Sequence, residues 1–111
     1  MDIAEQQAGD VTVVEIKGRI DSNTAKAFGD KLVSLIKSGR ARLVVDLQHI
    51  VYISSAGFRA LLLAGRLAEE TNGTLALCSL SSEVQRLFDL GSFTDLFVIY
   101  NSREEGLTKL S

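Results

Sequence analysis

The sequence predicts an α/β fold in which an N-terminal β-hairpin is followed by alternating helices and strands, forming a mostly parallel central sheet with one antiparallel edge strand. Three observations carry this reading. Apolar residues gather on both sides of a Gly9-Asp10 pair, short apolar runs recur near residues 43, 75 and 96, and the segments between them carry apolar residues at helical spacing behind Ser, Thr or Asp. Such an order implies right-handed crossovers. A chain of 111 residues is long enough for one core and too short for two, so residues 1–111 are read as a single domain.

Ile3 to Ala8 is a candidate strand, and Gly9-Asp10 fits a two-residue hairpin turn into Val11, Val13, Val14 and Ile16. Gly18 then punctuates the chain. Asp21-Ser22-Asn23-Thr24 offers several N-caps in a row before Ala25, Phe28, Leu32, Leu35 and Ile36 recur on one helical face that ends at Gly39. Leu43, Val44 and Val45 read as a strand covered on both faces and closed by Asp46. His49 falls in the loop after that strand, and Ile50 to Ile53 carries the chain across to Ser54 and Ser55, whose side chains stand where a helix leaves N–H groups unpaired.

The second helix is expected from about Ser55 to Asn72, with Gly73 as a left-handed terminator. Leu75 to Cys78 is the next strand. Ser82 with Gln85 fits a capping box ahead of Val84, Leu87 and Phe88, and Gly91 ends that short helix. Leu96 to Ile99 is the last strand, and Ser102 with Glu105 fits a second capping box for a terminal helix reaching Leu110.

Composition removes several function classes. With 12 Lys+Arg against 14 Asp+Glu the formal net charge is −2, so no basic footprint invites nucleic acid. The single cysteine, Cys78, cannot form an intrachain disulfide, and Met1 to Glu5 lacks the regions of a signal peptide, which suggests a cytoplasmic protein. Apolar runs such as Ala60 to Ala64 fall far short of the roughly 20 residues that span a bilayer, so no membrane segment is expected. One histidine and one cysteine cannot supply the usual nitrogen and sulfur ligands of a metal, and no glycine-rich phosphate loop follows a strand, so no cofactor is expected.

A catalytic serine is the enzymatic alternative. A nucleophile elbow wants glycine two residues before and after the serine, whereas around Ser55 those places hold Ile53 and Gly57. The candidate base would be His49, oriented by Asp21 or Asp46, but no spacing requires it. We therefore read the protein as non-catalytic.

From a helix start near Ser55, Arg59, Leu62 and Arg66 follow on the same face, while Phe58, Leu61, Ala64, Gly65 and Ala68 turn toward the sheet. Leu62 and Leu63 flank a charged seam of Arg59, Arg66 and Glu70. On helix pattern alone this is an ordinary solvated face; two leucines beside charges also suit a docking surface.

The stretches VVDLQHIVYISSAGFRALL, GRIDSNTA and SLSSEVQRLFDLGSFTDLF together resemble a STAS domain of the bacterial anti-sigma factor antagonist class, in the family's order and over essentially the whole chain. The resemblance implies the STAS fold and a partner switch. The unmodified antagonist binds an anti-sigma factor that is also an ATP-dependent serine kinase with an ATPase fold, releasing the sigma factor. Phosphorylation of a serine at the start of the second helix ends that binding, and a metal-dependent serine phosphatase restores it. Carried onto this sequence, the phosphorylated serine falls on Ser55, with Ser54 as the alternative, and the loop carboxylate falls on Asp21, with Asp46 closing the central strand beside them. One common family form has aspartate before the acceptor and serine after it, where this chain has Ser54 and Ala56. The expected partner-facing residues are Asp21, Ser54, Ser55, Arg59, Leu62 and Arg66. A second implied role is a STAS-type binding subunit of another machine, a transporter ATPase or a signalling scaffold, in which Ser55 is only an N-cap.

Overall fold

The computed structural model describes all 111 residues. The chain runs β1 (Asp2–Ala8), β2 (Val11–Ile20), α1 (Ala25–Lys37), β3 (Arg42–Ile53), α2 (Ser55–Glu70), β4 (Thr74–Cys78), α3 (Ser82–Leu90), a 3-10 turn (Thr94–Leu96), β5 (Val98–Tyr100) and α4 (Arg103–Leu110). The five strands lie in chain order; β1 pairs antiparallel with β2 and every other pair is parallel. The hairpin closes at Ala8↔Val11, with Gly9 at the positive φ of 62° that its turn requires.

Because successive parallel strands step in one direction, right-handed crossovers put α1, α2 and α3 on one face of the sheet. There Val14, Ile16, Leu43, Val45, Leu47 and Leu77 pack against Phe28, Leu32, Leu61 and Phe88 in the main core. The other face carries Val11, Val13, Val44 and Cys78 beneath Leu107 and Leu110 of α4. Burial on both faces explains the unbroken apolar run in β3.

The expected break after Asp46 does not occur. β3 is one strand of twelve residues, and Asp46 lies within it. The pairing with β2 continues through Lys17↔His49, Gly18↔Ile50, Arg19↔Tyr52 and Ile20↔Ile53, with two irregularities absorbing the extra residues. β4 accompanies β3 only as far as Asp46, so Gln48 and His49 face solvent from a two-stranded extension rather than from a loop.

Helix ends supply three further corrections. The left-handed residue after α2 is Asn72 (φ 64°), not Gly73. Its N–H donates to the Glu69 carbonyl and that of Gly73 to the Ala68 carbonyl, a Schellman closure displaced by one residue. Gly73 is needed for space instead, since a Cβ there would run into the Ala41 backbone. The N-cap of α3 is Ser81, whose Oγ accepts from the Val84 N–H at 3.2 Å, while Gln85 turns to Asp89; burying Val84 and Phe88 fixes this phase and leaves Ser82 exposed. Leu96 closes the 3-10 turn on the Phe93 carbonyl, so the last strand starts at Val98. Ser102 caps α4 through the Glu105 N–H as expected, but the Glu105 carboxylate accepts from the Asn101 N–H and not from Ser102 itself.

α4 is held by charge as well as by its leucines. Arg103 donates from Nε (3.0 Å) and Nη2 (2.8 Å) to Oδ2 of Asp46, and from Nη2 to Oε2 of Glu15 (2.6 Å). Asp46 is 3% exposed, and this guanidinium is its ion-pair partner. Removing one member of a buried pair leaves the other uncompensated. Arg103→Ala should therefore lower the unfolding free energy in urea by about 2–3 kcal/mol, and Asp46→Ala with Arg103→Ala should cost less than the sum of the two singles. The Arg103 hydrogen bond holds the Glu15 carboxyl below its ordinary value of 4.5. A carboxyl lowered by folding stabilises the fold above its unfolded value and loses that contribution as pH falls through its folded value. Below about pH 4.5 the melting temperature of the wild type should thus fall more steeply than that of Glu15→Gln.

Candidate functional site

Ile20 and Ile53 are paired neighbours on parallel strands, so the residues that follow them, Asp21 and Ser54, leave the sheet side by side at about the 5 Å strand spacing. The Ser54 N–H donates to the Ile20 carbonyl at 2.8 Å and fixes the exit. Ser54 is the N-cap of α2: its backbone is extended, and its Oγ accepts from the Gly57 N–H at 3.3 Å. Ser55 is the first helical residue and not the N-cap expected on the alternative reading; it is exposed, and its hydroxyl makes no hydrogen bond to the rest of the chain. The adjacent hydroxyls therefore have different jobs: one is used by the fold and one is free.

Two contacts that the sequence did not reveal seat this turn. A Cβ on Gly57 would come within 2.7 Å of Ile20 Cγ2 and 2.8 Å of Ile53 Cγ1, so only glycine lets the helix rest on the strand ends. Phe58 stacks on Phe93 (centroids 4.2 Å apart, planes at 6°) and meets Phe88 edge-on at 4.8 Å. The sequence signal was present in a glycine and a phenylalanine three and four residues after the cap, but nothing in it named their partners.

Asp21 is half-buried in the β2–α1 loop. Its Oδ1 accepts from the Asn23 N–H at 2.9 Å and from the Thr24 hydroxyl at 3.3 Å, and Oδ2 lies 4.0 Å from Arg19 Nε. Asp21 thus organises the loop, and Thr24, the residue before α1, provides no side-chain cap. Asp21, Ser54 and Ser55 come together as predicted. Asp46 does not join them: it points toward Arg103 on the α4 side of the sheet, seven residues and about 20 Å back along β3 from Ile53. His49 is likewise about 13 Å back along the strand, so no Ser-His-Asp arrangement forms.

The predicted stripe on α2 is a ridge between two grooves. On the α1 side Arg59 and the exposed Leu63 border a groove of about 360 Å³ floored by Ala25, Gly29, Ala56 and Ala60. The two helices approach closely there, for a Cβ on Gly29 would stand 3.2 Å from that of Ala60. On the other side the half-buried Leu62 and the exposed Arg66 border a second groove shared with Leu96, Phe97 and Val98. Gly65 lines this second groove and is only half-buried, not fully turned to the sheet as expected. Lys26 at the first groove is paired with Asp30 at 2.8 Å, which raises its pKa; Arg59 has no carboxylate within 4.0 Å. Burial pushes the Cys78 thiol up to about 11, which keeps it protonated and unreactive. No cluster of three His, Cys, Asp or Glu side chains could hold a metal, and no helix is long and apolar enough to cross a membrane.

The sequence profile of the STAS domain matches residues 2–106. The chain belongs to the STAS domain family. Among its STAS relatives, a protein named as a candidate anti-sigma factor antagonist, BtrV of Bordetella bronchiseptica, is 35% identical over 80% of this chain and 77% of its own. The anti-sigma-B factor antagonist of Bacillus subtilis is 31% identical over 93% of each chain. A candidate anti-sigma factor antagonist from Thermotoga maritima shares the fold, with a TM-score of 0.90 over 97% of this chain and 93% of its own at 16% identity. The expected STAS architecture, with its antiparallel edge strand and otherwise parallel sheet, is the one observed.

The division of labour between the two hydroxyls can be measured. Ser54→Ala removes the cap of α2 and should lower stability by about 1 kcal/mol, whereas Ser55→Ala should leave it within about 0.5 kcal/mol of wild type, both read by urea denaturation.

Proposed function

We propose that this STAS domain is an anti-sigma factor antagonist in a partner-switching pathway. Unphosphorylated, it binds an anti-sigma factor that is also a serine kinase of ATPase fold, and so frees the sigma factor. The kinase transfers the γ-phosphoryl group of ATP to Ser55: the Oγ–P bond forms, the bond to ADP breaks, and the hydroxyl proton leaves to solvent or a kinase base. Phosphorylation ends the binding, and a metal-dependent serine phosphatase restores it by hydrolysis. The observation that carries this reading is the free, exposed hydroxyl of Ser55 beside a Ser54 hydroxyl already engaged in capping. Ser55 is therefore the acceptor in this account, and Ser54 is a structural residue. The names of the curated relatives support the same role.

The switch needs no refolding. A phosphate on Ser55 adds a charge of about −1.5 to −2 at a helix N-terminus, where anions are stabilised, so the fold tolerates it. The cost falls on the complex, because a surface that packed on a neutral hydroxyl must now bury a hydrated dianion. An unpaired buried charge costs several kcal/mol, and a penalty of about 3 kcal/mol weakens binding on the order of a hundredfold. The partner-facing surface comprises Asp21, Ser54, Ser55, Arg59, Leu62 and Arg66, which share the end of the sheet and the ridge of α2.

Wild type, Ser55→Ala and Ser55→Asp, checked for equal folding, serve as baits in host lysate with mass-spectrometric identification. Capture of a kinase of ATPase fold by the first two and its loss with Ser55→Asp is the expected result. Equal retention of the same proteins by all three would overturn the switch and favour a STAS binding subunit of another machine. With the captured kinase purified, Arg59→Ala and Leu62→Ala should each weaken its binding about tenfold by calorimetry without lowering the melting temperature; unchanged affinity in both would remove the ridge from the interface.

A further inference from the structure

We propose that Arg59 reads the phosphate of Ser55 within the molecule: once phosphorylated, Ser55 draws the Arg59 guanidinium away from the mouth of the α1–α2 groove into an ion pair one helical turn long. The inference rests on the reading of Ser55 as the phosphoacceptor. The switch then alters two charges at once, adding an anion at the helix start and withdrawing a cation from the groove.

The geometry carries the argument. Ser55 and Arg59 are i and i+4 on α2, and both are exposed. Residues so spaced are neighbours on the helix surface, and the anion-first order is the favourable one relative to the helix dipole. A phosphate offers three acceptor oxygens, and the planar guanidinium meets two of them with parallel N–H donors.

Competition for both groups is weak. Arg59 has no carboxylate within 4.0 Å, whereas Lys26 across the groove is held by Asp30 at 2.8 Å. Arg19, the cation near the β2–α1 loop, lies over the Tyr52 ring at 4.5 Å and beside Asp21. Arg66 stands eleven residues on, about 16 Å along the helix axis. Among the helix donors, the Gly57 N–H already bonds to Ser54 Oγ, so the first-turn N–H groups ahead of it share the phosphate with Arg59. Arg59 is thus the cation on α2 within one turn of Ser55, and its present place is the groove.

Withdrawing it matters for the partner. In the unmodified protein Arg59 makes no ion pair within 4.0 Å and stands beside the exposed Leu63 at the rim of a groove floored by small residues, whose one carboxylate, Asp30, is already paired with Lys26. A partner carboxylate seated there has its counter-charge. After phosphorylation that carboxylate faces an occupied guanidinium and a nearby dianion of its own sign.

The test uses full-length protein with phosphoserine incorporated at position 55 during translation, and follows its second ionisation by 31P NMR in wild type, Arg59→Gln and Arg66→Gln. An ion pair favours the dianion, so its loss in Arg59→Gln should raise the phosphate pKa by about 0.3 pH units, with Arg66→Gln unchanged from wild type. An Arg59→Gln titration that overlays wild type, or an equal rise in Arg66→Gln, would overturn the proposal. Because the phosphate is built in, the titration depends on no kinase. An intact shift together with baits that bind identically would remove the antagonist reading and keep the pair; phosphate-dependent loss of the kinase without the shift would do the reverse.

Discussion

The pairing of Ile20 with Ile53 is the constraint on which the site depends. It makes two adjacent parallel strands end together, and the hydrogen bond from Ser54 to the Ile20 carbonyl turns that coincidence of ends into one rigid corner. From this corner β2 releases the Asp21 loop and β3 releases α2. Gly57 lets the helix settle against both isoleucines, and Phe58, stacked on Phe93, prevents it from lifting. Ser55 is presented by a corner pinned by these contacts, so under the proposed switch a change at its hydroxyl is read at the surface rather than through the backbone.

The opposite side of the sheet solves a separate problem. An eight-residue helix with few apolar residues is a weak cover for a buried sheet face. Arg103 compensates by joining α4 to β2 and β3 through Glu15 and Asp46. The energetics of that network concern the fold, and its distance from Ser55 separates what holds the protein together from what the proposed switch changes.

Much of the fold was legible because local chemistry and topology agree. The Gly9-Asp10 turn, the helical face of α1 and the Ser54 cap are all set by neighbours in sequence. What escaped was set by partners far away. Asp46, Gln48 and His49 look like the end of a strand, but Asp46 is neutralised by an arginine 57 residues later, and the other two face solvent where β4 has already stopped. The Ser81–Ser82 and Asn72–Gly73 pairs each hold two residues able to do the same job, and the choice fell to burial of Val84 and to crowding by Ala41. Within the site, Ser54 and Ser55 stood out as hydroxyls at a strand-to-helix turn, whereas Asp21 entered only through the resemblance to the STAS family. The ridge character of α2, with Arg59 on one groove and Leu62 on the other, needed the positions of α1 and β5.

Under the proposed switch, the corner presents Ser55 without being remodelled by its modification. The most direct measurement is a map of backbone amide chemical shifts, by 15N–1H NMR, before and after phosphoserine is built in at position 55. Changes confined to the Asp21 loop, the end of β3 and the first two turns of α2 are expected, with α4 and the amide neighbours of Arg103 unmoved. Changes that spread through the sheet to α4, or loss of the Ser54 to Ile20 hydrogen bond as rapid amide exchange at Ser54, would contradict it.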